Sequence, residues 1–148
     1  MTTYPEPTIG AIIFNPQNKV LLCRSKKWNN KYIIPGGHIE LGEPMEEALR
    51  REVKEETGLD IYGIELIGLQ ESIFSDTFSE RKHFIFIDYL CRTDSSDVSL
   101  NSEADAFVWA PLDEVQLYDL GGFTRHFFQR YTERQKGEHW KTILYNYV

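Results

Sequence analysis

One segment in the first half of the chain constrains the fold more strongly than any other, because it has the pattern of an amphipathic helix. Apolar side chains recur every four residues between Pro44 and Thr57, at Met45, Leu49 and Val53. This spacing predicts a helix with one buried face. Pro44 suits the first helical position, and Gly58 suits the position just past the last turn. The rest of the chain must therefore supply a surface against which this helix can pack.

Short apolar runs bounded by turn residues predict that this surface is a β-sheet. The predicted strands are Thr8–Phe14, Val20–Ser25, Tyr32–Ile34, Ile61–Phe74, His83–Cys91 and Ala106–Ala110. The first two are close enough in sequence to form a hairpin. A short helix is predicted to begin at 111–115 and a longer one to span 122–134, and the type of segment 140–147 stays open. The pattern predicts an α/β (α+β) fold in which a mixed β-sheet is sandwiched between helices.

Size and charge narrow the class of protein further. The 148 residues carry 16 Lys and Arg against 23 Asp and Glu, a formal net charge of −7, and 41% are hydrophobic. This composition predicts a single globular domain over residues 1–148. Without an apolar stretch of about 18 residues, a membrane span is not expected. Without a basic block, nucleic-acid binding is not expected, although divalent cations would let an acidic chain act on phosphate compounds.

The two cysteines bear on where the protein works. Cys23 and Cys91 both lie inside apolar runs, which predicts two buried thiols in strands. Two isolated cysteines in a chain without a disulfide framework favour a reducing, cytoplasmic location.

The acidic residues of the predicted helix are not scattered evenly. At about 100° per residue, Glu52, Glu55 and Glu56 project at roughly 0°, −60° and +40°, within a third of the helix circumference. Carboxylates this close repel one another unless cations neutralise them, and Mg²⁺ prefers such oxygen ligands, shared with phosphates and water. The alternative is a solvated acidic helix face, which is common in soluble proteins.

The residues around this helix complete a longer pattern. Five residues separate Gly37 from Glu43, seven more lead to Arg51-Glu52-Val53, and Glu55-Glu56 is followed by Gly58-Leu59. This segment, 37–59, resembles the complete signature of the MutT-like Nudix hydrolases, which cleave a nucleoside diphosphate linked to another group. The resemblance implies a Nudix fold, with a Mg²⁺ cofactor that Mn²⁺ can replace and a small nucleotide as substrate.

Roles for individual residues follow from this resemblance. Glu52 and Glu56 would ligate the metal, with Glu55 completing the shell and the Gly37 carbonyl adding a backbone ligand. Arg51 would pair with Glu43 or Glu55 and orient the carboxylates, and Gly58 would end the helix. A carboxylate would act as general base, and three candidates stay open: Glu52, Glu55 and Glu103.

The choice of substrate depends on weaker signals. Asn101-Ser102-Glu103 and several later segments are similar to the branch that hydrolyses pyrimidine deoxynucleoside triphosphates, although Gly121 replaces the asparagine expected there. We therefore expect hydrolysis of a (deoxy)nucleoside triphosphate to the monophosphate and pyrophosphate. The alternatives are an ADP-ribose, nucleotide-sugar or dinucleotide pyrophosphatase, and a nucleotide-binding module without catalysis. Small Nudix proteins are often dimers, so a homodimer is also expected.

Four residues outside the carboxylate set are candidates for substrate contact. Arg24 ends the second predicted strand and Arg81 precedes a later one, next to Lys82, so either end could present a cation to phosphate. Phe74 lies beside a loop where an aromatic ring could stack on a base. His38 follows Gly37 directly and would line the cleft. The competing interpretations are an exposed arginine, a core aromatic ring and an ordinary loop histidine.

Overall fold

The computed structural model describes residues 4–136 and 144–147, and these form a mixed sheet with one helix on each face. The strands are β1 Glu6–Phe14, β2 Lys19–Ser25, β3 Lys31–Ile33, β4 Gly36–His38, β5 Tyr62–Ile73, β6 His83–Arg92, β7 Ala104–Pro111 and β8 Leu144–Tyr147; the helices are α1 Met45–Thr57 and α2 Gly122–Lys136. The sheet has the order β3-β2-β1-β6-β5-β8, with β4 paired to β1 and β7 paired to β2.

Two apolar cores lie on opposite faces of this sheet. Ala48, Leu49 and Val53 of α1 pack on one face, and Phe123, Phe127 and Phe128 of α2 pack on the other. The predicted α/β architecture with a mixed sheet between helices is therefore confirmed. Cys23 and Cys91 are free and buried as predicted, and burial raises the pKa of each thiol to about 12. None of the helices in the described part of the chain is long and apolar enough to span a membrane.

The predicted hairpin forms only at its closed end, and this opens the sheet. β1 and β2 are antiparallel and pair at Phe14 and Val20, after which they diverge. Farther along, β1 pairs with β4 on one edge and in parallel with β6 on the other, while β2 pairs with β3 and β7. The separation between the two strands leaves room for a cleft.

The structure moves several predicted boundaries. Pro44 is extended, with ψ of 149°, so α1 begins at Met45 instead of Pro44, whereas Gly58 ends the helix with φ of 76° as predicted. The short strand β4 was not predicted, because two glycines give no strand pattern. The predicted short helix is a 3₁₀ segment, Leu112–Leu117. Within the open segment, 144–147 is a strand, and 140–143 lies outside the described residues.

Candidate active site

The short strand β4 brings backbone atoms against the acidic face of α1. The Gly36 N–H donates a hydrogen bond to Oε2 of Glu56 at 3.0 Å. A Cβ placed on Gly37 would lie 2.5 Å from Cδ of Glu52, closer than side chains tolerate. The Glu52 carboxylate occupies the space beside Gly37, so a side chain at position 37 would displace that carboxylate.

Three carboxylates gather beside β4. Glu52 and Glu56 come from α1, and Glu103 comes from the loop just before β7, and each offers an oxygen within 4.8 Å of the others. Desolvation raises the pKa of Glu52. Desolvation, together with the neighbouring Glu103, raises the pKa of Glu56 to about 10. This electrostatic cost is what a bound divalent cation would offset, so the donor set fits a hard cation that prefers oxygen ligands.

Arg51 donates hydrogen bonds to three carboxylates on or beside this acidic face. Its Nε and Nη2 donate to both oxygens of Glu43, at 2.7 and 3.0 Å, and its Nη1 donates to Glu52 at 3.1 Å and Glu55 at 3.2 Å. Its Nη2 also reaches the carbonyl of His38 at 3.0 Å. Both predicted partners of Arg51, Glu43 and Glu55, are therefore found. The hydrogen bond from Arg51 lowers the pKa of Glu43.

Glu55 lies apart from the gathered carboxylates. Its side chain is 55% exposed and its described ion pair is with Arg51. The structure thus groups two glutamates of α1, Glu52 and Glu56, with Glu103, and the role of Glu55 as a metal ligand stays a prediction.

The acidic cluster lies at one side of a cleft of about 230 Å³. Much of the remaining lining is aromatic: Trp28, Phe78, Phe84, Phe86 and Phe123. These rings contact one another, with centroids 4.6 Å apart for Trp28 and Phe78 and 4.1 Å apart for Phe86 and Phe123. The cleft therefore combines an acidic side with an apolar aromatic side.

A chain of polar contacts lies elsewhere in the lining. Glu6, at the start of β1, accepts hydrogen bonds on its two carboxylate oxygens, from Nε2 of His38 and Nζ of Lys82, both at 2.9 Å. The predicted residue His38 is thus in the cleft.

The other three residues predicted to bind substrate lie outside the cleft lining. Arg24 pairs with Asp105 at 2.8 Å on the exposed side of β2 and β7. The Arg81 guanidinium stacks over the Phe74 ring, 4.0 Å from its centroid, and both residues line a second surface depression, which shares Glu6 and Lys82 with the cleft. Substrate contact by Arg24, Arg81 and Phe74 stays a prediction that this placement does not favour.

Several lining residues had no signal in the sequence that pointed to a site. Glu6 looks like an ordinary surface charge, and Phe84 and Phe86 look like core residues of a strand. In the sequence, Lys82 is only one of two adjacent cations, either of which could contact phosphate. The shared location of these residues results from the parallel pairing of β1 with β6, where Glu6 is in register with Phe84. Only an expectation of that pairing could have brought them together.

A cluster of carboxylates at the edge of such a cleft is typical of enzymes that use divalent metals on phosphate compounds. Comparison with known proteins defines the family. The NUDIX domain model matches residues 4–131. The chain therefore belongs to the Nudix family, whose members generally use divalent metals, and it is a hydrolase.

Individual relatives agree with this assignment. The nucleoside triphosphatase NudI of Salmonella agona is 32% identical over 131 residues, which cover 80% of this chain and 92% of that protein. The crystal structure of a MutT protein from Methanosarcina mazei superposes with a TM-score of 0.76, at 27% identity over 93% of this chain and all of that one. The NUDIX domain of Shewanella oneidensis NrtR, crystallised with ADP ribose, shares the fold with a TM-score of 0.75 at 18% identity, covering 90% of each chain.

Proposed function

We propose that this hydrolase cleaves a (deoxy)nucleoside triphosphate to the monophosphate and pyrophosphate, with Mg²⁺ as cofactor. The observation that carries the proposal is the group of Glu52, Glu56 and Glu103 beside Gly37, at the edge of a cleft with an aromatic side. Triphosphates are favoured over other nucleotides because the NudI relative, 32% identical, is named a nucleoside triphosphatase.

The cation would be held by Glu52, Glu56 and the Gly37 carbonyl, with Glu55 completing the shell once the cation competes with Arg51. When bound, Mg²⁺ or Mn²⁺ neutralises phosphate charge and makes a coordinated water more acidic. Arg51 fixes the Glu52 carboxylate through the hydrogen bond at 3.1 Å, so that its oxygens need no reorganisation when substrate arrives.

Glu103 is the best-placed proton acceptor. It contributes to the carboxylate cluster from a loop, its side chain is 45% exposed, and Lys27 lies 3.7 Å from it. Water attacks a phosphorus of the anhydride, the Glu103 carboxylate takes the proton, and the bridging P–O bond breaks to release pyrophosphate. Glu52 and Glu55 are the competing candidates. Because Glu52 is assigned to the cation, the Glu103→Gln and Glu55→Gln variants should be compared, and the larger loss of kcat identifies the base.

The aromatic side of the cleft would receive the nucleobase. Phe78 is partly exposed and packs against the buried ring of Trp28, and stacking on such a ring stabilises a base without fixing its identity. The remaining predictions concern the whole protein: a single domain, a homodimer and a cytoplasmic location. Light scattering of the purified protein would test the dimer.

The test of the proposal is hydrolysis of a nucleotide panel that includes all (deoxy)nucleoside triphosphates and ADP-ribose, with Mg²⁺ and with product analysis. We expect pyrophosphate release from a triphosphate, and a loss of about 10³-fold in kcat in Glu56→Gln. Glu46→Gln is the matched control, because Glu46 lies in the first turn of α1 and does not line the cleft. Wild-type kcat in Glu56→Gln would contradict the assigned role, and cleavage of ADP-ribose alone would contradict the substrate.

A further inference from the structure

Two consecutive cations precede β6, and both line the surface depression beside Phe74, but only Lys82 also lines the cleft. The Arg81 guanidinium covers the Phe74 ring outside the cleft. Lys82, in contrast, lines the cleft, and its side chain is only 30% exposed. The sequence offers no means of choosing between these neighbours, whereas their placement does.

Glu6 holds Lys82 in this position. Its Oε2 lies 2.9 Å from Nζ of Lys82 and its Oε1 lies 2.9 Å from Nε2 of His38, so both carboxylate oxygens are engaged. The hydrogen bond from Lys82 lowers the pKa of Glu6, and the pKa of Lys82 is raised in turn. Because an ammonium has three N–H donors, the contact with Glu6 orients the group and leaves donors for a ligand.

The cleft lining carries more negative than positive side chains, so a cation in it matters for binding an anionic substrate. The lining contains five carboxylates and two lysines, Lys27 and Lys82. Lys27 lies 3.7 Å from Glu103, at the carboxylate cluster. A substrate with several phosphates must still enter against the remaining negative charge, and Lys82 supplies a positive group in another part of the lining.

We propose that Lys82, held by Glu6, binds a phosphate of the substrate and makes the site favour nucleotides with more phosphate charge, so that a triphosphate is preferred to a diphosphate conjugate. This inference rests on the proposed function. Lys82 is a substrate-binding residue with no part in proton transfer, so its loss acts on substrate affinity.

The main experiment compares Lys82→Met with Lys31→Met. Lys31 is a close match, because its Nζ also lies 2.9 Å from a carboxylate, that of Asp119, and its side chain is 27% exposed, but it does not line the cleft. We expect Lys82→Met to raise KM for the triphosphate about tenfold with kcat within a factor of two. The inhibition constant of ADP-ribose as a competitor of triphosphate hydrolysis, or its KM if it is cleaved, should rise by less than threefold. Lys31→Met should change neither constant, and Lys82→Arg should restore KM for the triphosphate.

Other outcomes would overturn the inference. An unchanged KM for the triphosphate, or equal rises in the constants of both nucleotides, would mean that Lys82 only joins β1 to β6. If Lys82→Met fails to fold, Glu6→Gln is tested instead, because this variant keeps the lysine but weakens the contact between Glu6 and Lys82. An unchanged KM in Glu6→Gln would also overturn the inference.

A binding measurement separates this inference from the proposed function. Calorimetric titration with inorganic tripolyphosphate and with pyrophosphate, both in the presence of Mg²⁺, requires no turnover. Tripolyphosphate should bind wild type more tightly than it binds Lys82→Met by about tenfold, and pyrophosphate should show a smaller difference. Equal affinities would overturn the role of Lys82 even if triphosphates are hydrolysed. If the expected difference in affinity is found but no nucleotide is hydrolysed, the phosphate-binding role of Lys82 is supported and the proposed function is contradicted.

Discussion

Glu56 at the cleft and Asp88 in the core beside α2 are both carboxylates withdrawn from water, but their surroundings differ. Asp88 is 1% exposed and accepts one described hydrogen bond, from Nε2 of Gln70 at 2.8 Å. Burial raises its pKa to about 7. Glu56 is half-buried, yet its pKa is raised further, to about 10, because other carboxylates add to the effect of desolvation.

The difference shows which feature marks a site. Burial alone accounts for Asp88, which a single proton can neutralise within the core. At Glu56 the fold gathers further acids, Glu52 and Glu103, at the edge of an open cleft. Such a group is costly unless a cation with several ligand positions replaces the proton. Changes that disperse the group should therefore remove activity, whereas a change at Asp88 should alter stability alone.

Gly37→Ala should cause the largest loss among the changes that leave every carboxylate present. The added methyl would lie 2.5 Å from Cδ of Glu52, so the carboxylate must move by about an ångström. A displacement of this size costs about 10²-fold in kcat, which steady-state kinetics would measure. Gly42→Ala is the control, because a Cβ there meets nothing within 4 Å, although its φ of 85° costs some stability. Equal kcat values in the two variants would show that catalysis does not depend on the exact position of the Glu52 carboxylate.

Arg51→Lys should have a smaller effect. A lysine keeps the charge but cannot donate to both oxygens of Glu43 while also reaching Glu52, so the carboxylates lose their fixed orientation. We expect kcat to fall about tenfold, with more Mg²⁺ needed for half-maximal rate. Arg50→Lys is the matched control, since Arg50 Nη1 donates to the carbonyl of Ile61 and not to an acid of the cluster. An unchanged metal requirement in Arg51→Lys would count against the orienting role.

The sequence predicted one part of this site far better than the other. Glu52 and Glu56 are four residues apart, and a helix with a fixed period places them on one face, so their spacing is sufficient to predict their proximity. Gly37 lies in β4, outside the helix, and was linked to them by the family signature. The strands other than β4 and β8, and the placement of the sheet between helices, could also be predicted from apolar runs. The divergence of β1 from β2 could not, because it depends on pairing with distant strands.

The remaining part of the cleft illustrates the same limit. Lys82 and Arg81 are adjacent cations, and only the pairing of β1 with β6 brings Lys82 to Glu6 and leaves Arg81 on Phe74. Glu103 was identified by its resemblance to a family branch, and its proximity to Glu52 is a result of the tertiary fold. Residues that assemble through distant strand pairing have no local signature.

Asp88→Asn should have the smallest effect on kcat, because Asp88 does not line the cleft, and its effect on stability should depend on pH. The folded-state pKa of about 7 lies above the unfolded value of 3.8, so the folded protein binds more protons between these values and loses stability as the pH rises through this window. Asparagine keeps an acceptor for Gln70 without ionising. Relative to wild type, Asp88→Asn should therefore gain roughly 2–4 kcal/mol in unfolding free energy between pH 4 and pH 8, measured by urea denaturation. Parallel pH profiles for the two proteins would show that Asp88 ionises in the core without cost, and the contrast with Glu56 would then require a cause other than the neighbouring acids.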